Sequence, residues 1–397
     1  MAKVELKSVV NNESMDFSLP ATYQTYKKQV IEFAQAELND DVVKRDQEGI
    51  FPRDLWQKCA AFGIQGLAAP PKYGGSHETI DLTRAVLAME GLGYGCKDNG
   101  LTLALNAQMW TVQVIIALFG TEDQKKRFLL PLANGTWLGA HALTEEASGS
   151  DTFNMQMTAE KVDGGYLLNG EKRLITLGPI ADMGIFFANI NPKLGRWGVT
   201  AFLVESTSEG YEVSPTRSKM GCRTVPFGEI KLTNCFVPEA NRLGKEGAGF
   251  SITQQSLEYD RCCILASELG TMERQLEETI QYAKTRKQFG QSIGKFQSVS
   301  NRIADMKLRL ETSKLLLYKM VWLKENKKPC TLEASMLKLL LSESFLASSM
   351  DAIRVHGGIG YLSETGVERN LRDAVGGVLY AGTSDIHRNI IAKLLGL

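Results

Sequence analysis

Glu258 and Asp260 flank Tyr259 directly ahead of Arg261, in a stretch spaced like a helix. A lone helix carboxylate is either a positioned proton acceptor or one half of a solvated ion pair. Residues two apart on a helix point roughly 200° apart, so only one of the two can face a given site. A second group runs Leu143-Thr144-Glu145-Glu146-Ala147-Ser148-Gly149-Ser150-Asp151. Thr144, Gly149 and Ser150 are small and polar, so hydroxyls and backbone N–H groups there could close on a pyrophosphate; the same residues also suit a plain polar β-turn. Arg286 offers a planar fork of donors for a pyrophosphate, or a solvated charge beside Lys284 and Lys287. Gly357-Gly358 permits close backbone approach or positive φ, and equally a helix C-cap. The four histidines are too scattered for metal-ligand spacing. The seven cysteines form no C-x-x-C pair, and adjacent Cys262-Cys263 lie in an apolar run. They read as reduced core thiols of a cytoplasmic protein.

These groups need a scaffold, and 397 residues suffice for two or three domains with a large core. Lys plus Arg (45) equals Asp plus Glu (45), which gives no reason to expect a nucleic-acid or membrane-surface partner. Met1 to Val10 is polar and lacks the apolar run of a signal peptide. No stretch of about 18 apolar residues suggests a membrane span.

The periodicity changes twice along the chain. From Tyr23 to about Leu132 it is helical: Leu55, Cys59 and Phe62 recur on one face, and Leu82, Ala85, Met89 and Leu92 on another. Leu101 to Phe119 reads as a buried core helix, broken up by Asn106, Gln108 and Gln113. Between Leu143 and Leu243 the pattern is β. Asp163-Gly164-Gly165 and Asn169-Gly170 read as turns, and Ile185–Ala188 and Thr200–Val204 as buried strands of a small sheet or barrel. From Phe250 onward Leu265, Leu269, Met272, Leu276 and Ile280 begin the seams of a helical bundle. The expected organisation is α+β: an all-helical domain over residues 1–140, a β domain over 141–243 and a helical bundle over 244–397.

That order of domains, together with local motifs, resembles the acyl-CoA dehydrogenase family along nearly the whole chain. Leu143–Asp151 resembles the signature that opens the family's β domain. Leu168-Asn169-Gly170-Glu171-Lys172 with Ile175-Thr176 resembles its flavin-side strand pair. Tyr282–Gly290 with Phe296-Gln297 is similar to its Arg-and-Phe element, and His356–Tyr361 with Gly382-Thr383-Ser384 to its C-terminal pair. The resemblance implies the acyl-CoA dehydrogenase fold, with a helical domain, a middle β domain and a C-terminal four-helix bundle. It implies FAD as cofactor and a homo-oligomer, dimer or tetramer, with FAD at subunit interfaces. It places Leu143, Thr144, Gly149, Ser150, Leu174, Thr176, Arg286, Phe289, Gln297, Arg354, Gly357, Gly358, Thr383 and Asp385 at the cofactor, with Arg286 and the Gly357-Gly358 loop reaching the FAD of a neighbouring subunit.

The implied chemistry is α,β-dehydrogenation of a thioester. A base takes the α-proton while hydride leaves the β-carbon for the flavin, so the base must face the substrate from the side opposite the flavin. Many members use a Glu just before Gly-Thr-Ser; here that residue is Ala381, which cannot take a proton. Other members place the base immediately before an Arg on the first long bundle helix. The matching residue is Asp260, one methylene shorter than Glu, with Glu258 as the spare candidate. The backbone N–H of Ala381 remains able to polarise the thioester carbonyl. Tyr380 and Arg261 are expected at the substrate. Leu174 stands where many members have Trp, and Arg354 where many have Gln. The displaced base and the Leu-Glu-Tyr-Asp-Arg context resemble the biosynthetic branch, whose members oxidise acyl or aminoacyl groups, such as prolyl thioesters, on carrier proteins. Ordinary acyl-CoA oxidation, a flavin oxidase or oxygenase on the same fold, and a non-catalytic flavin-binding scaffold are the rival readings.

Overall fold

The computed structural model describes residues 18–152 and 154–397. Apolar spacing becomes helix faces as expected in the first segment. Leu55 and Cys59 are buried on the Arg53–Phe62 helix, while Phe62 sits at the rim and stacks on Phe33 with ring centroids 4.2 Å apart. Leu82, Ala85, Met89 and Leu92 are all buried on the Leu82–Gly95 helix, which Asp81 caps by accepting from the Arg84 N–H at 2.8 Å. The helical run Asn99–Phe119 contains a π-turn over Met109–Gln113. It is long and apolar enough to cross a membrane, but 72% of its apolar window is buried within the fold, so here it is a core helix.

The middle segment forms a mixed sheet of strands β1 (Gly139–Ala142), β2 (Thr158–Val162), β3 (Gly165–Thr176), β4 (Met183–Asn189), β5 (Val199–Glu205), β6 (Tyr211–Val213), β7 (Phe227–Pro238) and β8 (Arg242–Leu243). Their order is β6-β7-β3-β2-β4-β5-β8, with β1 parallel to β4. Asp163-Gly164 closes the β2–β3 hairpin, Gly164 at φ +76°. Asn169-Gly170 is not the expected turn. It lies inside β3, which runs on to Thr176 with a register shift against β7 between Leu168 and Gly170. A Cβ on Gly170 would come within 2.8 Å of the Met157 Cα, so this glycine serves a close approach of two strands.

A buried ion pair fastens the Leu143–Asp151 segment to β3. Lys172 Nζ lies 2.7 Å from Glu145 Oε1 and donates to the Leu143 carbonyl at 3.0 Å, and both side chains are almost wholly out of solvent. Glu145 also accepts from the backbone N–H groups of Gln156 and Met157, and the Arg173 N–H donates to the Thr144 carbonyl at 2.8 Å. Burial pulls the Lys172 amine down to about 8, and Glu145 opposes that shift.

The third segment is built on the 37-residue helix Gly249–Thr285, packed with Gln297–Glu325, Thr331–His356, Val367–Gly377 and Ser384–Leu394. Leu265, Leu269, Met272 and Leu276 are buried and Ile280 half-buried, as the spacing predicts. Two glycines bring the Leu82–Gly95 helix against this long helix. A Cβ on Gly93 would lie 1.9 Å from the Ser267 carbonyl oxygen, and one on Gly270 2.0 Å from that of Glu90. Thr271 and Arg274 then donate to the Gly93 carbonyl at 3.1 and 2.9 Å. One apolar core therefore spans the first and third segments, with the sheet packed beside it.

Lys172→Met should leave Glu145 buried and unpaired, at a cost of roughly 3–5 kcal/mol. The expected result is a clear fall in the urea midpoint, partly recovered by adding Glu145→Gln. A fall worth under about 1 kcal/mol would mean the pair does not hold the segment.

Candidate active site

The long helix presents Asp260, Ile264 and Glu268 on successive turns of one face. Asp260 is 6% exposed and has no hydrogen bond or ion pair among the described residues. The surface ion-pair alternative is therefore wrong for this residue. Burial pushes its carboxyl up to about 7, against the pull of Arg261 and Lys338. Glu258 points elsewhere, to an ion pair with Lys324, whose ammonium also lies 4.8 Å from the centre of the Tyr259 ring. Of the two carboxylates, Asp260 is the one without a hydrogen-bond or ion-pair partner among the described residues.

Facing this helix, the chain makes a strained turn. Ala381 sits at φ +52° and Gly382 at φ +94°, between the Val367–Gly377 and Ser384–Leu394 helices. A non-glycine residue in this region is uncommon and costs on the order of 1 kcal/mol. The Ala381 carbonyl is pinned from two sides, by Arg261 Nε at 3.4 Å and His387 Nε2 at 3.1 Å. Burial brings His387 down to about 4, so the ring is neutral and its Nε2 carries the donated proton. The Ala381 N–H donates to nothing among the described residues. Next to it, Tyr380 donates its hydroxyl to Glu268, and both line a cleft with Leu103, Ile264 and Phe345. Tyr380 also feels the charge of Asp260, which places that carboxylate, the turn and the cleft in one neighbourhood.

On the β side, the hydroxyls of Thr144, Ser150 and Thr176 make no hydrogen bond among the described residues. A Cβ on Gly149 would meet open space, and Leu174, at φ +58°, is 56% exposed. Leu143 is half-buried and gives its carbonyl to Lys172. Free hydroxyls and an unfilled glycine, on the loop between β1 and β2 and at the end of β3, fit the flavin expected from the motifs. The bundle residues expected at the cofactor gather at the far end of the long helix. Tyr282 stacks on His356 at 4.3 Å, joining Arg286 to the Gly357-Gly358 loop. Arg286 is exposed and its guanidinium has no partner among the described residues. Phe289, at φ +48°, opens a two-residue hairpin turn with Gly290 and leaves its ring 93% exposed. Gln297 is exposed at the start of the next helix. Arg354 is paired with Asp351 at 3.3 Å, which also binds Arg302 and Arg309. Thr383 caps the last helix by accepting from the Ile386 N–H, and exposed Asp385 pairs with Arg388 at 3.0 Å. No hydrogen bond or ion pair among the described residues ties this group to the β-side group within the chain.

Family models match nearly the whole chain. The acyl-CoA dehydrogenase N-terminal, middle and C-terminal domains match residues 20–136, 140–235 and 247–396. The chain belongs to the acyl-CoA dehydrogenase family. An L-prolyl-[peptidyl-carrier protein] dehydrogenase of Pseudomonas fluorescens is 39% identical over 384 residues, covering 96% of this chain and all of that one. The solved structure of the prolyl acyl carrier protein oxidase AnaB is 49% identical, with a TM-score of 0.93 over 96% of this chain and all of its own. The structure of PigA with FAD and proline is 39% identical, with a TM-score of 0.94 and the same coverage.

Within this family frame, the sequence reading missed Glu268, Lys338 and His387. Glu268 was findable: it is a lone carboxylate eight residues beyond Asp260, after the apolar run Cys262–Ala266. Lys338 and His387 enter through tertiary packing, which no local motif announces. Lys338 is fully buried, donates to the Gly377 carbonyl at 2.5 Å, and is pulled down to about 8 by burial.

Asp260 is raised above its unfolded range near 3.8, so its stabilising contribution is complete below that pH and is lost as pH climbs through about 7. Asp260→Asn should therefore be more stable than the parent at pH 8, by up to about 4 kcal/mol. The advantage should shrink steadily toward pH 5 in thermal or urea melts. A pH-independent difference would show that the carboxylate is solvated.

Proposed function

We propose that this chain dehydrogenates an aminoacyl group, prolyl or close to it, held as a phosphopantetheine thioester on a carrier protein. It is an FAD-dependent oxidoreductase acting on CH–CH bonds. The observation that carries the substrate proposal is a buried, unpaired carboxylate at Asp260 facing a turn whose family carboxylate position is Ala381. Support comes from the prolyl-carrier-protein dehydrogenase and oxidase relatives that match 96% of this chain over their own full length.

Bound FAD supplies the hydride acceptor for the β-carbon. Asp260 takes the α-proton, and its low-dielectric setting keeps its basicity near that of the working pH. The Ala381 N–H, oriented by the left-handed turn, donates to the thioester carbonyl oxygen and stabilises the charge that builds there. Arg261 does not need to touch substrate to matter, because it holds the Ala381 carbonyl and so fixes the N–H on the other side of that residue. Thr144, Ser150, Thr176 and the exposed face of Leu174 hold the flavin, and Arg286, Phe289, Arg354 and the Gly357-Gly358 loop reach the FAD of a second copy. This makes the working unit a homodimer or a tetramer, in a cytoplasmic biosynthetic setting.

Asp260→Asn should retain FAD and lose anaerobic flavin bleaching by prolyl-carrier thioester at least about 10²-fold. Glu258→Gln should stay within a few-fold of the parent. Ala381→Glu should restore some bleaching only in the Asp260→Asn background. Unchanged bleaching in Asp260→Asn would reject the base; bleaching by acyl-CoA thioesters and not by prolyl thioesters would reject the substrate. Arg286→Ala should weaken FAD retention roughly 10–100-fold on gel filtration with no loss of helix content, because a charged donor to pyrophosphate contributes about 1.5–3 kcal/mol. Retention equal to the parent would remove Arg286 from the cofactor site.

A further inference from the structure

The mechanism above leaves one buried group of the cleft unused. Glu268 is 6% exposed, and only one of its carboxylate oxygens is occupied: Oε1 accepts from the Tyr380 hydroxyl, while Oε2 is buried with no partner. The nearest cation does not complete it. Lys338 donates its ammonium to the Gly377 carbonyl and forms no ion pair with Glu268 among the described residues. The other carboxylate of the cleft is satisfied, since Asp373 accepts from the Cys222 N–H at 2.5 Å and from Asn99 Nδ2 at 2.9 Å. Leu103, Ile264 and Phe345 supply the cleft's apolar walls, and Asn99, Thr102 and Ser267 also line it without bonding to Glu268. A purely hydrocarbon acyl chain entering such a cleft would leave an acceptor buried and unpaired, which is costly. A substrate carrying its own donor would complete it.

We infer that Glu268, steadied by Tyr380, binds the amine nitrogen of the substrate's aminoacyl group and so selects an aminoacyl thioester over a plain acyl thioester. This rests on the function proposed above and adds the group that tells the two substrate classes apart. The placement is consistent along the helix face. Asp260 stands at one end beside the Ala381 turn where the thioester reacts, Ile264 follows one turn later, and Glu268 one turn beyond that, with Tyr380 bridging the two carboxylates' surroundings. A small ring held at its thioester end by the Ala381 N–H extends past Tyr380 toward Glu268. Gly377 belongs to the same device: a Cβ there would lie 2.7 Å from Glu268 Oε1 and would push the carboxylate out of place.

The test compares two pantetheine thioesters that differ in one ring atom, prolyl and cyclopentanecarbonyl, by anaerobic flavin bleaching of the holoenzyme. The parent should favour prolyl at least about 30-fold in kcat/KM, and Glu268→Gln should collapse that ratio roughly 10-fold or more, mainly through KM. The Glu268→Asp variant, which keeps the charge one methylene back, should fall between. A parent that bleaches with prolyl but does not discriminate overturns the inference and leaves the proposed function standing, and this holds even if the variants fail to fold. So does a ratio unchanged in a Glu268→Gln protein that binds FAD normally. A parent that bleaches with cyclopentanecarbonyl and not with prolyl overturns both.

Discussion

A carboxylate kept out of water with no cation bonded to it is the constraint around which this protein is arranged. Ionised carboxylates are hard to bury, and folds normally pair them or expose them. Asp260 is neither. It sits on the long helix, onto which two glycines let the Leu82–Gly95 helix press closely further along. Gly93 and Gly270 bring backbone within contact of backbone, and one apolar core runs from the first segment to the third. The neighbouring cations are near enough to be felt and are committed elsewhere. Arg261 is bonded to the Ala381 carbonyl and Lys338 to that of Gly377. Each stabilises the chain's geometry through its hydrogen bonds while leaving the carboxylate able to gain and lose a proton. A direct salt bridge would have held it ionised and far weaker as a base.

The β side solves the same problem in the opposite way. Glu145 and Lys172 are as deeply buried as Asp260, but they are paired at 2.7 Å and the carboxylate also accepts from two backbone N–H groups. That pair fixes where Leu143 and Thr144 lie relative to Leu174 and Thr176. Rigidity on that side suits the proposed cofactor platform, whereas the proposed base on the bundle side needs a poised charge. The motif residues Glu145 and Lys172 thus act as scaffold, and the neighbouring small hydroxyl residues are what remain open to a ligand.

Much of this was legible in the chain because its motifs are local. Thr144, Gly149 and Ser150 lie within one loop, Asp260 and Arg261 are adjacent, and the periods of the three segments are distinct enough to separate them. What could not be read were pairings between distant residues. Glu258 and Lys324 are 66 residues apart, and their ion pair is what separates the two candidate bases. The Glu145–Lys172 pair looks in sequence like two ordinary surface charges. Asn169-Gly170 carried a turn's composition, yet the glycine is required by the close passage of Met157, a fact of sheet register and not of local propensity. Glu268 fell between the two cases, visible as a lone charge in an apolar helix run but without a meaning until its unpartnered oxygen was placed in a cleft.

The alanine at 381 and the aspartate at 260 are best understood as one change. Tyr380 feels the charge of Asp260, so a carboxylate on the next residue would share the same poorly screened space. Two carboxylates there would raise each other's proton affinity, and at neutral pH one would carry the proton that the other needs to accept. A base on the long helix therefore works only when the turn position is uncharged. What the turn keeps is its backbone. With a small residue at φ +52°, the N–H is left without an acceptor among the described residues while Arg261 and His387 hold the carbonyl. In the proposed mechanism the carbonyl-polarising donor and the proton acceptor thus come from separate elements, one a strained turn and the other the long helix. Their relative position is set by the Arg261–Ala381 contact, since Arg261 is the residue next to the base itself.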